Sequence, residues 1–268
     1  MEQKAIIEAL GVQPDFDAAR EIGRRVEFLK GYLVGSRQAA YVLGISGGVD
    51  SLAAGLLAQR AVRALREDGH AATFIAVRLP YGVQADEHDA AAAVAAIRPD
   101  RVMTVDIKPA ADSLMAAMLA AGTDPVLRHH FILGNVKARQ RMVAQYAIAG
   151  NASGLVIGTD HAAEALMGFY TKFGDGAADV LPLAGLNKRR VRAVAAALGA
   201  PDRLVWKVPT ADLESDAPLR PDEDVYGVTY DQIDDFLEGR AIDPAAAGRI
   251  LSAYRASAHK RALPVPAA

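Results

Sequence analysis

The chain reads as an α/β domain, a doubly wound parallel sheet flanked by helices. Two observations predict it. Short apolar runs of strand length alternate with longer stretches of helical spacing, the pattern left by buried parallel strands and their crossover helices. A glycine loop, Gly44-Ile45-Ser46-Gly47-Gly48-Val49-Asp50-Ser51, lies between an apolar run starting at Tyr41 and a long helical pattern. Ligands of such sheets gather at strand carboxyl ends.

Taken in order, residues 3–10 and 17–34 show helical spacing, with Ile22, Val26, Leu29 and Leu33 on one face. Residues 41–45 form the first strand, and 51–67 an alanine- and leucine-rich helix stopped at Gly69. A strand over 73–77 ends in the breaker Arg78-Leu79-Pro80-Tyr81-Gly82. A helix over 85–97, a strand over 101–105, helices over 110–121 and 135–149, and a strand over 155–158 continue the alternation. Past Gly158 the periodicity fades into loops rich in chemistry, Thr159-Asp160-His161-Ala162-Ala163-Glu164 and Lys172-Phe173-Gly174-Asp175-Gly176. Asn187 is positioned to cap a helix reaching Leu198, with Gly199 and Pro201 to end it. Eleven acidic residues against only Arg220 and Arg240 make 212–243 read as a solvated, mobile loop. Thr229 to Gln232 has capping-box spacing, Asp243-Pro244 opens another helix, and two terminal helices follow. With no repeat or linker, 1–268 reads as one domain.

Composition excludes several classes. The 268 residues carry a formal net charge of -2, which gives no general attraction for nucleic acid. The absence of cysteine removes disulfides, thiolate zinc sites and the thioester route to glutamine hydrolysis, so no glutaminase domain is expected. No apolar run approaches the roughly 18 to 20 residues of a membrane span. Met1-Glu2-Gln3-Lys4 opens no secretory signal, so the expectation is a cytoplasmic protein with no membrane partner.

The loop itself is a phosphate-binding layout. Paired glycines let backbone N–H groups converge on an anion, and a helix N-terminus behind them adds partial positive charge. It is not the common P-loop, because no Gly-Lys-Ser/Thr follows. The hydroxyls of Ser46 and Ser51 and the carboxylate of Asp50 suit a nucleotide bound with a divalent metal instead.

LGISGGVDS, FIAVRLPYGVQADE, GNVKARQRMVAQY, GTDHAAEA, TKFGDGAAD, PTADLE, GVTYDQIDD and the terminal HKR span nearly the whole chain. Together they resemble the ammonia-dependent NAD synthetases of the ATP-pyrophosphatase superfamily, whose fold is adenine nucleotide alpha hydrolase-like. The first motif alone would indicate only the superfamily; the later ones narrow it. The resemblance implies that deamido-NAD, ATP and ammonia become NAD, AMP and pyrophosphate through an NAD-adenylate. It implies a homodimer with sites at the interface, and Mg2+ as cofactor bound at Asp50 and Glu164. ATP is expected at Gly44, Ile45, Ser46, Gly47, Gly48, Val49, Asp50 and Ser51, with Arg78, Gln84, Thr159, Lys188 and Thr210. Deamido-NAD is expected at Arg139, Lys172, Asp179, His259 and Lys260.

Asp50, Lys188 and Asp175 are the catalytic candidates. A cation at a helix start is locally unfavourable, so a bound phosphate would explain Lys188. Asp175 is the candidate for holding ammonium and taking its proton. Lys137, Arg139 and Arg141 alternate along a helix, so only one or two of them can share a ligand. Trp206 reads as structural, although its place just before Thr210 leaves a lid role open, and His129 and His130 match no metal spacing. Two alternatives stay open: another ATP-pyrophosphatase amide ligase, or a non-catalytic nucleotide-binding protein on the same fold, which would be expected to have lost Asp50, Glu164 or Lys188.

Overall fold

The computed structural model describes residues 1–83, 87–123, 129–210 and 221–267. Helices α1 (Glu2–Ala9) and α2 (Ala18–Gly35) precede β1 (Ala40–Gly44), α3 (Val49–Glu67) and β2 (Thr73–Arg78). Then come α4 (Glu87–Ile97), β3 (Arg101–Thr104), α5 (Lys108–Ala120), α6 (His129–Asn151) and β4 (Gly154–Val156). The last part holds α7 (Ala162–Met167), α8 (Lys188–Ala197), α9 (Asp202–Val205), α10 (Asp222–Tyr226), α11 (Tyr230–Leu237), α12 (Pro244–Ala256) and α13 (Ala258–Arg261).

The strands run parallel in the order β3-β2-β1-β4. The chain therefore winds one way from β1 to β3 and then returns to place β4 on the other side of β1. That reversal opens a crevice between the carboxyl ends of β1 and β4, where open α/β sheets bind ligands. Side chains of β1 alternate between two cores. Tyr41 and Leu43 join α2, α3 and α8 on one face, while Ala40 and Val42 meet α6 residues on the other. Both faces are buried, which explains why this strand reads as a continuous apolar run. A third cluster, built by Ile6, Leu166, Ile233, Phe236 and Ile250, packs α1, α7, α11 and α12 together. No helix is long and apolar enough, among the described residues, to cross a membrane.

Differences from the sequence reading fall at short or late elements. Helix α6 starts at His129, a full turn and more before 135. Three short helices, α7, α9 and α10, occupy stretches that read as loops, because four to six residues are too few to display a period. The acidic stretch is not simply a solvated loop: Asp222 and Asp234 within it are buried on α10 and α11. Residues 211–220 of that stretch, and Gln84, lie outside the described residues. The capping box at Thr229, the Asp243 cap and the Asn187 cap are all present.

Candidate active site

The loop after β1 opens into the crevice and helix α3 begins on its far side. Gly47 has φ +87°, and a Cβ there would stand 2.7 Å from the Ala90 amide nitrogen, so only glycine fits. The Ser51 hydroxyl donates to the Gly48 carbonyl at 3.1 Å and lies 3.2 Å from the Ser46 hydroxyl. These bonds fix the loop from within. Gly48, the N-cap of α3, offers no side chain, so the first-turn amides remain open to the cavity.

Opposite the loop, Lys188 reaches in from the first turn of α8. Its backbone N–H donates to Asp234 Oδ1 at 3.0 Å, and Arg189 N–H donates to Asp234 Oδ2 at 2.7 Å. Asn187 takes the N–H of Arg190 at 2.9 Å. A carboxylate from α11 thus supports the helix start and offsets the unfavourable placement of a cation there. Burial pushes the Asp234 carboxyl up to about 6 although both amides oppose this. The Lys188 ammonium is 1% exposed and lies 3.0 and 2.8 Å from the Asp50 carboxylate oxygens. Burial disfavours both charges, but each partner outweighs it. The Asp50 carboxyl is held below the usual range by Lys188 and His161, and the Lys188 ammonium is held above its usual range by Asp50 and Glu164.

His161 completes the cluster, and its role is absent from the sequence reading. As N-cap of α7 it accepts the Glu164 N–H through Nδ1 at 3.4 Å. Its Nε2 faces Asp50 Oδ1 at 3.3 Å, Glu164 Oε1 at 3.6 Å and the Lys188 ammonium at 3.2 Å. Asp50, His161 and Glu164 present ligand atoms within 4.8 Å of one another. Both ring nitrogens of His161 already face protein partners, so the two carboxylates remain, and all-oxygen ligation suits a hard divalent cation such as Mg2+ that also takes phosphate oxygens. Glu164 supports the fit: burial first, then the charges of Asp50 and Asp160, raises its carboxyl to about 8 against the pull of His161 and Lys188. A cation there would supply the missing charge.

The cavity between these walls measures about 300 Å³. Its lining includes Gly44, Ile45, Ser46, Gly48, Val49, Asp50, Ser51, Arg78, Thr159, Glu164, Asp175, Lys188 and Thr210. Thus most of the residues expected at ATP meet in one place; Gly47 backs the loop against α4. Asp175 lines the cavity and is exposed, yet the protein crowded around its carboxyl raises its pKa despite the Thr171 N–H at 2.9 Å and the Lys260 charge. Asp160 behaves alike, pushed up to about 7 by burial and by Asp175 and Asp50.

The residues expected at deamido-NAD form a separate group beside this cavity. Arg139 donates to the Lys172 carbonyl at 3.3 Å, Lys172 Nζ to the His259 carbonyl at 2.6 Å, and Lys260 Nζ to the Gly168 and Tyr170 carbonyls at 2.8 Å each. Asp179 stands apart, its Oδ2 accepting the Val156 N–H at 2.7 Å at the end of β4. Lys137 lies 4.1 Å over the Tyr81 ring and Arg141 donates to the Leu79 carbonyl at 3.0 Å, so the three alternating cations point three ways. Trp206 is 65% exposed, which corrects its reading as structural; the Arg192 guanidinium lies 5.6 Å from its ring. His129 and His130 make an edge-on ring pair at the start of α6.

Two further residues escape sequence reasoning. Gln145 of α6 accepts the Gly44 N–H at 2.7 Å and lines the cavity. Asp222, 6% exposed, accepts the Tyr230 hydroxyl at 2.9 Å through Oδ2, while its Oδ1, beside the cavity, has no hydrogen-bond partner among the described residues. The sequence signals were present but faint: Glu164 three residues after His161 is cap spacing, and Pro221-Asp222-Glu223 is a helix start.

The family model described as NAD synthase matches residues 21–264. This chain belongs to the NAD synthase family. Among its relatives, the NH(3)-dependent NAD(+) synthetase of Burkholderia cenocepacia is 60% identical over 264 residues, covering 98% of this chain and 94% of the relative. The crystal structure of NAD+ synthetase from Burkholderia pseudomallei superposes with a TM-score of 0.85 at 57% identity, covering 98% and 97% of the two chains. The NMN synthetase of Francisella tularensis superposes with a TM-score of 0.82 at 34% identity, covering 94% and 99%. The parallel sheet, the glycine loop and the crevice of this chain are thus those of an NAD synthase-family ligase.

Proposed function

We propose that this chain joins ammonia to the carboxylate of deamido-NAD, cleaving ATP to AMP and pyrophosphate through an NAD-adenylate. The observation that carries this reading is the cluster of Asp50, Lys188 and Glu164 facing an open-amide glycine loop across one cavity. A carboxylate has no competent leaving group, so activation must come first. One carboxylate oxygen attacks the α-phosphorus, and the bond to the β-phosphate oxygen breaks. The loop amides and Lys188 receive the negative charge of the departing pyrophosphate. Magnesium, held by Asp50 and Glu164, would neutralise phosphate oxygens. Asp175 holds ammonium and takes its proton; the free ammonia attacks the acyl carbon, and AMP departs with the carboxylate oxygen.

Arg139, Lys172, His259 and Lys260 are read as the group that binds deamido-NAD, with Asp179 contributing from the end of β4. Arg139 and His259 lie at the surface. We read this half-site as completed by a second copy of the chain, and the exposed Leu114, Leu119, Phe131 and Val143 of α5 and α6 support such a homodimer. Light scattering in solution should give the mass of two chains.

Product analysis tests the reaction. AMP and pyrophosphate should form only when ATP, magnesium, deamido-NAD and ammonia are all present, and oxygen label from the carboxylate should end in AMP. ADP and phosphate would refute the mechanism. Because one relative is named NMN synthetase, the acid form of NMN belongs in the same assay; the 60% identical relative sets the expectation that deamido-NAD is preferred. Asp175→Asn should raise the apparent ammonia requirement, and unchanged ammonia dependence would remove Asp175 from this role.

A further inference from the structure

We propose that Lys207 binds the β- and γ-phosphates in the nucleotide site, and that Asp89 holds its ammonium in place until they arrive. The proposal rests on the reading of the cavity as an ATP site. Lys207 lines that cavity together with Gly48, Ser51 and Thr210. Its Nζ lies 2.8 Å from Asp89 Oδ2, and the two side chains are only 20% and 13% exposed. Asp89 in turn abuts the loop: a Cβ on Gly47 would stand 2.9 Å from the Asp89 carbonyl carbon and 3.0 Å from its Cβ. The ammonium is therefore tethered against the glycine loop and not on the outer surface.

The backbone carrying Lys207 is anchored on both sides. Leu204 and Val205 of α9 are wholly buried in the main core. Downstream, Thr210 bridges to Pro221, and the Asp222 N–H donates to the Pro209 carbonyl at 3.1 Å. A cation fixed between two such points meets its ligand with little ordering left to do. Lysine suits the task as a point charge for phosphate, without the fork geometry that arginine brings.

Asp89 can release Lys207 without being stranded. Arg203 Nη1 lies 3.1 Å from Asp89 Oδ1, and His88 Nε2 lies 3.3 Å from the same oxygen. Burial disfavours the Asp89 charge, but Lys207, His88 and Arg203 outweigh it and hold the carboxyl below its usual range. When Lys207 turns to a phosphate, Arg203 still neutralises the carboxylate. Lys207 then works from the α4 side of the loop, while Lys188 works from Asp50, so the pyrophosphate is gripped by separate cations.

Titration calorimetry of the full chain with pyrophosphate plus magnesium chloride, and separately with AMP, tests this. Lys207→Gln should weaken pyrophosphate binding by about tenfold or more, the usual scale for one charge-assisted contact, and leave AMP within about twofold. Lys207→Arg should keep pyrophosphate within about threefold of the unaltered chain, since the charge remains. Unchanged pyrophosphate affinity in Lys207→Gln would overturn the proposal. Equal losses for AMP and pyrophosphate would also overturn it, by making Lys207 a merely structural support. If the unaltered chain binds neither probe, it is the ATP reading of the cavity that fails.

Discussion

The two ends of the site are built on opposite electrostatic plans. At the loop end three cations each have a carboxylate partner: Lys188 sits on Asp50, Lys207 on Asp89 and Arg78 on Glu87. At the other end Arg139, Lys172 and Lys260 donate, among the described residues, to backbone carbonyls. Buried charge must be compensated within the fold, whereas surface cations can be aimed by neutral acceptors and keep their charge for a ligand. The cations of the loop end are thus compensated before any ligand arrives, and the cationic end waits for an anion.

The largest effect should come from breaking compensation where it is deepest. Asp50→Ala leaves the Lys188 ammonium buried without its partner, which should cost about 3 to 5 kcal/mol in denaturant unfolding. Activity should fall by about a thousandfold or more, since the loop loses its carboxylate as well. Adding Lys188→Met should recover much of the stability and none of the activity. If the single variant were as stable as the unaltered chain, the contrast between the two ends would lose its physical basis.

Gly47→Ala attacks the shape of the loop without touching a charge. The positive φ and the 2.7 Å approach to the Ala90 amide demand a backbone shift, for about 1 to 3 kcal/mol of strain. The apparent KM for ATP should rise at least about tenfold. A normal KM would mean that the loop tolerates displacement and is less preformed than its internal hydrogen bonds suggest.

The cationic end should answer differently. Lys172→Met removes a charge that the fold does not need, so the melting temperature should stay within about 2 °C. The KM for deamido-NAD should rise about tenfold, with the KM for ATP little altered. A loss of thermal stability instead would show that this end is compensated after all.

The smallest effect concerns pH. Asp160 and Asp234 have folded pKa values raised to about 7 and about 6. Their unfolded values lie near 4, so the stability attached to their protonated forms is full below about pH 4. It is lost as pH rises through about 6 to 7. Asp50 runs the other way, its contribution present above the unfolded value and lost on acidification. In chelator, the ligand-free chain should therefore melt progressively lower as pH rises from about 5 to 8, and Asp160→Asn should flatten that slope.

Much of this arrangement is legible along the chain. The apolar run of β1 and the glycine loop after it announce a phosphate cradle, since backbone conformation and amide direction are local properties. The caps at Asn187, Thr229 and Asp243 are local too, each a side chain bonding an amide two or three residues on. His161, Asp222 and the Lys207 to Asp89 pair were not legible. His161 meets Lys188 across 27 residues of sequence, and Lys188 meets Asp50 across 138. No periodicity carries such distances.

By itself the sequence determined the strand and helix alternation, the loop chemistry and the family motifs, because these follow from residue type and short-range spacing. Only the tertiary structure decided which acid answers which cation. The winding of the sheet sets β4 beside β1, so His161 and Glu164 arrive opposite the loop. Packing of α11 against α8 puts Asp234 under the amides that aim Lys188 at Asp50. The physical reason is that pairing of charges depends on distance in space and on burial, and both are products of the fold.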